Sequence, residues 1–117
     1  MSTYEGPLPG IEPVVPMSAD GAAWAGWLEN LGYTVPEPTA LLYTQKSDQI
    51  EYEKGGLVPA PLALPREHND TRFMVDSAIN YIGEQQDNWL VHLSLLRPHP
   101  PWIAPEPYNA MYSPEEL

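Results

Sequence analysis

The chain has 117 residues, with 16 Asp and Glu against 5 Lys and Arg, a net charge of −11 and a pI near 4.3. A surface this acidic repels phosphate backbones and anionic lipid, which excludes nucleic acid and membrane surfaces as partners but leaves room for a small anion held by one local basic cluster. There is no cysteine, so disulfides, thiolate metal sites and a cysteine nucleophile are excluded as well. No run approaches the roughly 18 apolar residues of a membrane span. The acidic, proline-rich N-terminus is no signal peptide, and the expectation is a cytoplasmic protein. Fifteen prolines, more than double the usual share of about 5%, fall mostly between the periodic segments. Four Trp, seven Tyr and 43% apolar residues distinguish the chain from a disordered acidic polymer, so it reads as ordered, loop-rich structure.

Residues 1–19 carry Pro7, Pro9, Pro13 and Pro16 with Gly6 and Gly10, and read as an extended N-terminal arm. Asp20 is a suitable N-cap for a helix over about Gly21 to Leu31, with Gly32 as its stop. Trp24, Trp27, Leu28 and Leu31 fall at i, i+3, i+4 and i+7 and make one apolar stripe, read as core rather than as a ligand platform. Tyr33 to Pro38 leaves the helix in extended form. Thr39 to Gln45 reads as a short strand. Lys46 to Gly56 is polar and closes on Gly55-Gly56, a surface turn. Leu57 to Pro65 has proline too often for a central strand and reads as an apolar strap.

The strongest local signal is a second helix, capped by Asn69 or Asp70 and running to about Gln86. Met74, Val75, Ala78, Ile79 and Ile82 form its expected buried stripe, with Phe73 and Tyr81 at the edges. Asp87-Asn88 turns into Trp89 to Leu96, apolar at nearly every position. Trp89, Val91, Leu93 and Leu95 fall on one face of a strand, and Leu90 and Leu96 on the other, which is how a strand covered on both faces reads. Arg97-Pro98-His99-Pro100-Pro101 ends it. A helical turn over Tyr108 to Tyr112 and a helix start at Ser113-Pro114-Glu115-Glu116 complete the pattern.

The fold class implied is α/β, with about two helices, one central strand and proline-rich loops. Two helices and coil leave both edges of such a strand unsatisfied. Residues 1–117 therefore read as a single partial domain that completes its sheet with the remainder of a larger protein or with another chain, self-association included. Chemistry in open parallel sheets sits beyond the carboxyl ends of the strands. The first residues there are Arg97 and His99, the latter held between two prolines. An imidazole fixed in this way suits hydrogen bonding to an anionic oxygen or protonation of a leaving group. Arg97 suits a bidentate anion contact or pairing with a local carboxylate. His68 reads as solvated and His92 as a hydrogen-bonded core histidine.

The run Arg97-Pro98-His99-Pro100-Pro101-Trp102-Ile103-Ala104-Pro105-Glu106-Pro107-Tyr108-Asn109-Ala110-Met111-Tyr112 closely resembles the middle of sulfatases in the alkaline phosphatase superfamily, above all the phosphonate monoester hydrolase branch. That branch has a strand, then R-P-H-P-P, then A-P-x-P-Y-x-x-M-Y. Asp70-Thr71 before a helix and Trp89 opening the strand are similar to the family's order. So are Trp27-Leu28 and Gly32-Tyr33-Thr34-Val35-Pro36. The resemblance covers the chain from about residue 20 onward, and its R-P-H-P-P block is specific.

The resemblance implies part of an alkaline phosphatase-like parallel-sheet sandwich and a whole protein that hydrolyses sulfate, phosphate or phosphonate esters. It implies that His99 contacts the transferred group or its leaving oxygen; Arg97 beside it is, from its chemistry and place in the loop, a candidate for substrate binding. A divalent metal and a formylglycine are implied for the full-length family. The formylglycine motif C/S-x-P-x-R is absent here, and Thr34-Val35-Pro36 is followed by Glu37 rather than x-Arg. The acidic metal ligands of the family's first strand and its later Asp-His or Asp-Asn-Gly pair are absent too, which implies no catalysis by this chain alone. The rival reading is a truncated non-catalytic protein or a proline-rich interaction module. Flanking coding sequence with or without those motifs separates the two.

Overall fold

Helices form where the apolar periodicity places them. The computed structural model describes residues 9–16, 21–43, 51–53, 56–58, 61–99 and 102–112. By their internal packing, Met1–Ala40 and Leu41–Leu117 are two compact units.

In the first unit, α1 spans Ala22–Asn30. Asp20, the expected cap, lies outside the described residues, and the N-cap position is Gly21, without a side-chain cap. Gly32 ends the helix as expected. It sits at φ +90°, where its own N–H donates to Glu29 O at 2.9 Å and Tyr33 N–H donates to Leu28 O at 3.0 Å. This paired closure satisfies two terminal carbonyls and needs a left-handed residue, which glycine supplies without Cβ strain. Trp24, Ala25 and Leu28 are the buried residues of α1, and Leu31 at its end is 47% exposed. The apolar stripe is thus tilted by about one position from the one its spacing predicts.

The second unit begins in a 3₁₀ turn, Thr39–Tyr43, whose first two residues belong to the preceding unit. A strand was the expectation for Thr39 to Gln45; residues 44–50 lie outside the described ones. Alternation in Thr-Ala-Leu-Leu-Tyr is too brief to decide between a strand and one tight helical turn, and among the described residues no strand pairs with it. Two short strands follow, β1 at Glu51–Glu53 and β2 at Gly56–Val58. They are antiparallel with Glu53 opposite Gly56. The glycine turn signal falls at that reversal. The proline-interrupted strap then buries Leu62 and Leu64 and bonds Leu62 N–H to Ala104 O at 2.9 Å, tying it to the chain after His99.

α2 spans Asp70–Glu84. Asn69 caps it, its side-chain oxygen accepting from Arg72 N–H at 2.7 Å, a bond typically worth about 1 kcal/mol of stability. Its expected buried stripe is not buried. Met74, Val75, Ala78 and Ile82 are half-buried, and Ile79 is 59% exposed.

The largest departure is Trp89 to Leu96. The expected central strand pairs with no other strand among the described residues, and both of its apolar faces meet solvent, with Trp89 50% and Leu95 42% exposed on one and Leu90 86% and Leu96 75% on the other. Periodicity reports what a segment is suited to bury; a ladder also needs neighbours, and the described residues offer none. No parallel sheet forms among the described residues, and the core position expected of His92 is not found. His92 is exposed. A final 3₁₀ turn, Tyr108–Ala110, matches the helical turn expected there.

Among the described residues the buried apolar set is Trp24, Ala25, Leu28, Leu42, Leu62 and Leu64. A complete domain of this length removes roughly two thirds of its unfolded surface from water, and the exposed tryptophans and leucines fall short of that. The 117-residue chain is expected to melt in a broad, weakly cooperative transition or to self-associate. Calorimetry with sedimentation checks this, and a sharp two-state transition of a monomer contradicts it.

Candidate functional site

Arg97 and His99 stand at the end of the apolar segment, in a turn closed by His99 N–H donating to Leu96 O at 3.0 Å. Trp102 Nε1 donates to Pro98 O at 3.1 Å and closes the other side of the loop. The two expected residues are therefore brought together, and their side chains differ in setting. His99 is exposed at the surface of the loop, whereas Arg97 is half-buried.

What holds Arg97 comes from two other parts of the second unit. Arg97 Nη2 lies 3.4 Å from Asp70 Oδ2, with the side chains only 26% and 15% exposed. The Arg97 guanidinium carbon sits 4.5 Å from the centre of the Tyr43 ring, within the range of cation–π attraction. Arg97 Nη1 donates to the carbonyl of His99 at 2.9 Å. Of the two roles open to Arg97 in the sequence, pairing with a local carboxylate is the one observed.

Asp70 is itself well placed. As the first residue of α2 it enjoys the positive end of the helix dipole. Its Oδ1 accepts from Thr71 N–H at 2.8 Å and Thr71 Oγ1 at 3.4 Å, and its Oδ2 accepts from the Tyr43 hydroxyl at 3.0 Å. Burial, reinforced by the Asp70 charge, pushes the Tyr43 hydroxyl up from 10.0 to about 12. Sequence reasoning missed Tyr43 altogether, because an isolated tyrosine in a short apolar run carries no signal of its partner. Asp70 was visible as a helix cap and as half of Asp70-Thr71, but its tie to Arg97 spans the whole helix. Its cap role passes to Asn69.

His68 is half-buried in a 3₁₀ turn at Arg66–His68, where a solvated side chain was expected. An open cavity of about 480 Å³ lies between Leu62–Glu67 and Glu106–Pro107, and neither Arg97 nor His99 lines it. Among the described residues no group of three or more His, Cys, Asp or Glu side chains converges as a metal site. The described residues therefore do not fit the divalent metal that the resemblance implies. No helix among them is long and apolar enough to cross a membrane.

No protein-family model matches the chain. Among curated proteins it is 31% identical over 93 residues to the multifunctional alkaline phosphatase superfamily protein PehA of Trinickia caryophylli, an overlap of 79% of this chain and 18% of that protein. Among solved structures it is similar to the phosphonate monoester hydrolase of Agrobacterium radiobacter, at a TM-score of 0.78 and 32% identity over 97% of this chain and 21% of the other. The chain is a segment of the alkaline phosphatase superfamily. It spans about a fifth of the length of each of these relatives.

Burial of the Tyr43 hydroxyl beside Asp70 makes the stability of the second unit pH-dependent at the alkaline end. With the hydroxyl pKa raised from 10.0 to about 12 on folding, the unfolded chain loses its proton first, so the Tyr43 contribution to stability is fully present below about pH 10 and is lost as pH rises from 10 towards 12. Denaturant melts across that range are expected to show the fall, and Tyr43→Phe to flatten it. An equal fall in both proteins contradicts the assignment.

Proposed function

We propose that this segment forms one wall of the active site of a hydrolase of phosphonate, phosphate or sulfate monoesters, with His99 as the residue that meets the ester. The observation that carries the reading is the Arg97-Pro98-His99-Pro100-Pro101 loop. It presents an exposed histidine beside an anchored cation, in a chain 32% identical to a phosphonate monoester hydrolase. Residues 1–117 in this reading are one partial domain, the central part of a catalytic domain whose parallel sheet takes in Trp89 to Leu96 as a strand, with residues 1–19 as an extended arm.

His99 acts there as hydrogen-bond donor or general acid to the leaving oxygen. Its imidazole N–H strengthens its bond as negative charge grows on that oxygen, and this differential is what accelerates the step. Arg97 has two of its amino groups engaged by Asp70 and the His99 carbonyl. Its charge acts on the bound anion chiefly as a field, partly balanced by Asp70. A formylglycine nucleophile and a divalent metal, as the resemblance implies for the full-length family, would have to be held by residues other than the described ones and would supply an attacking oxygen and a Lewis acid. The substrate is a small anionic ester met in the cytoplasm, and neither nucleic acid nor membrane takes part. The wall alone has neither attacker nor charge sink, so the 117-residue chain is inactive.

Assay of nitrophenyl phosphonate, phosphate and sulfate esters tests both statements. The isolated chain is expected to show no turnover above contaminants. In a complete protein containing this segment, His99→Ala is expected to lower kcat by about 100- to 10,000-fold with the melting temperature unchanged. His92→Ala, at an exposed position of this chain, is expected to change the isolated chain's stability by no more than about 0.5 kcal/mol. Full turnover by His99→Ala, or metal-dependent turnover by the isolated chain, overturns the reading.

A further inference from the structure

We propose that Asp70 and Tyr43 are positioning residues that act through Arg97 to fix the backbone on which His99 is carried. Only for its catalytic consequence does this rest on the role of His99 given above; the mechanical coupling stands on geometry alone.

The link joins a helix to a loop. One end is the first turn of α2, a helix of 15 residues, where Asp70 is fixed by the Thr71 amide at 2.8 Å and by the Tyr43 hydroxyl at 3.0 Å. The other end is the loop at Arg97 to His99, which lies outside any helix or strand. Arg97 joins them. One guanidinium amino group meets Asp70 Oδ2 at 3.4 Å while another donates to the carbonyl of His99 at 2.9 Å. The Tyr43 ring, 4.5 Å from the guanidinium carbon, backs the plane of the fork. A planar guanidinium reaches two acceptors in a fixed geometry, whereas an ammonium is a point donor on a flexible stem. The contact ends on the peptide group of His99 itself, so its loss changes the loop before it changes the helix.

The test is NMR on the 117-residue chain, with amide shifts of α2 as the control for folding. In the wild type the Arg97 amino signals are expected to be individually resolved, with a coupling through the hydrogen bond to the His99 carbonyl carbon. A single averaged signal without that coupling overturns the proposal without recourse to any variant. Arg97→Lys retains the charge beside Asp70. It is expected to leave the alkaline titration of Tyr43 in place while the His99 amide order parameter falls from about 0.85 to below about 0.6, the rigid and flexible ranges. Asp70→Asn is expected to lower both the Tyr43 midpoint and the His99 order parameter, and Asp70→Glu to restore them. An unchanged His99 order parameter in Arg97→Lys or Asp70→Asn with α2 intact overturns the proposal. None of these readouts uses turnover, so a failed catalytic reading and a failed clamp are told apart.

Discussion

Asp70 and Arg97 lie 27 residues apart in the chain, and their side chains meet at 3.4 Å in a site that solvent reaches only in part. Their attraction is less screened than that of the surface pairs elsewhere in the protein. Arg66–Glu67 and Arg72–Asp76, both well exposed, belong to a class of pair that contributes about 0–1 kcal/mol. The Asp70 pair differs because each partner is also held by something else. Helix dipole, Thr71 and Tyr43 fix the carboxylate; the Tyr43 ring and the His99 carbonyl fix the guanidinium. Removal of either partner leaves the other's charge part-buried without its match, at an expected cost of about 1–3 kcal/mol.

From this pair follows the placement of the histidine. The loop after Leu96 has prolines on both sides of His99, and prolines restrict φ without choosing where the loop lies. Arg97 makes that choice, because its side chain turns back onto the loop's own carbonyl while anchored on α2. In the role proposed for His99, its placement would then depend on Asp70 and Tyr43, which bond through Arg97 to the loop. In the superfamily to which this segment belongs, such placement matters because a displacement of about 1 Å from productive geometry can lower a rate by about 100-fold.

The local structure was legible wherever one residue's chemistry decides it. Asn69 as a cap and Gly32 as a helix stop were readable because each answers a backbone need within four residues. The pairing of Arg97 with His99 was readable because proline and sequence adjacency put them in one loop. What escaped was everything set by distant neighbours. Trp89 to Leu96 has the composition of a doubly covered strand, yet it stays unpaired here. Burying a leucine such as Leu90 stabilises by about 1.5–3 kcal/mol only if a layer exists to bury it. The same reasoning holds for Ile79 on α2, and for His92, whose expected core position depended on that strand. Tyr43 was invisible for the converse reason: its partners Asp70 and Arg97 are supplied by segments 27 or more residues away.

The most direct test of the account is a crystal structure of a complete protein containing this segment, grown with sulfate or phosphate bound. The account predicts a ring nitrogen of His99 within about 2.6–3.2 Å of an oxygen of the anion, with the Arg97 guanidinium still on Asp70 and on the His99 carbonyl. An anion held by Arg97 turned away from Asp70, with the His99 ring out of reach, contradicts it.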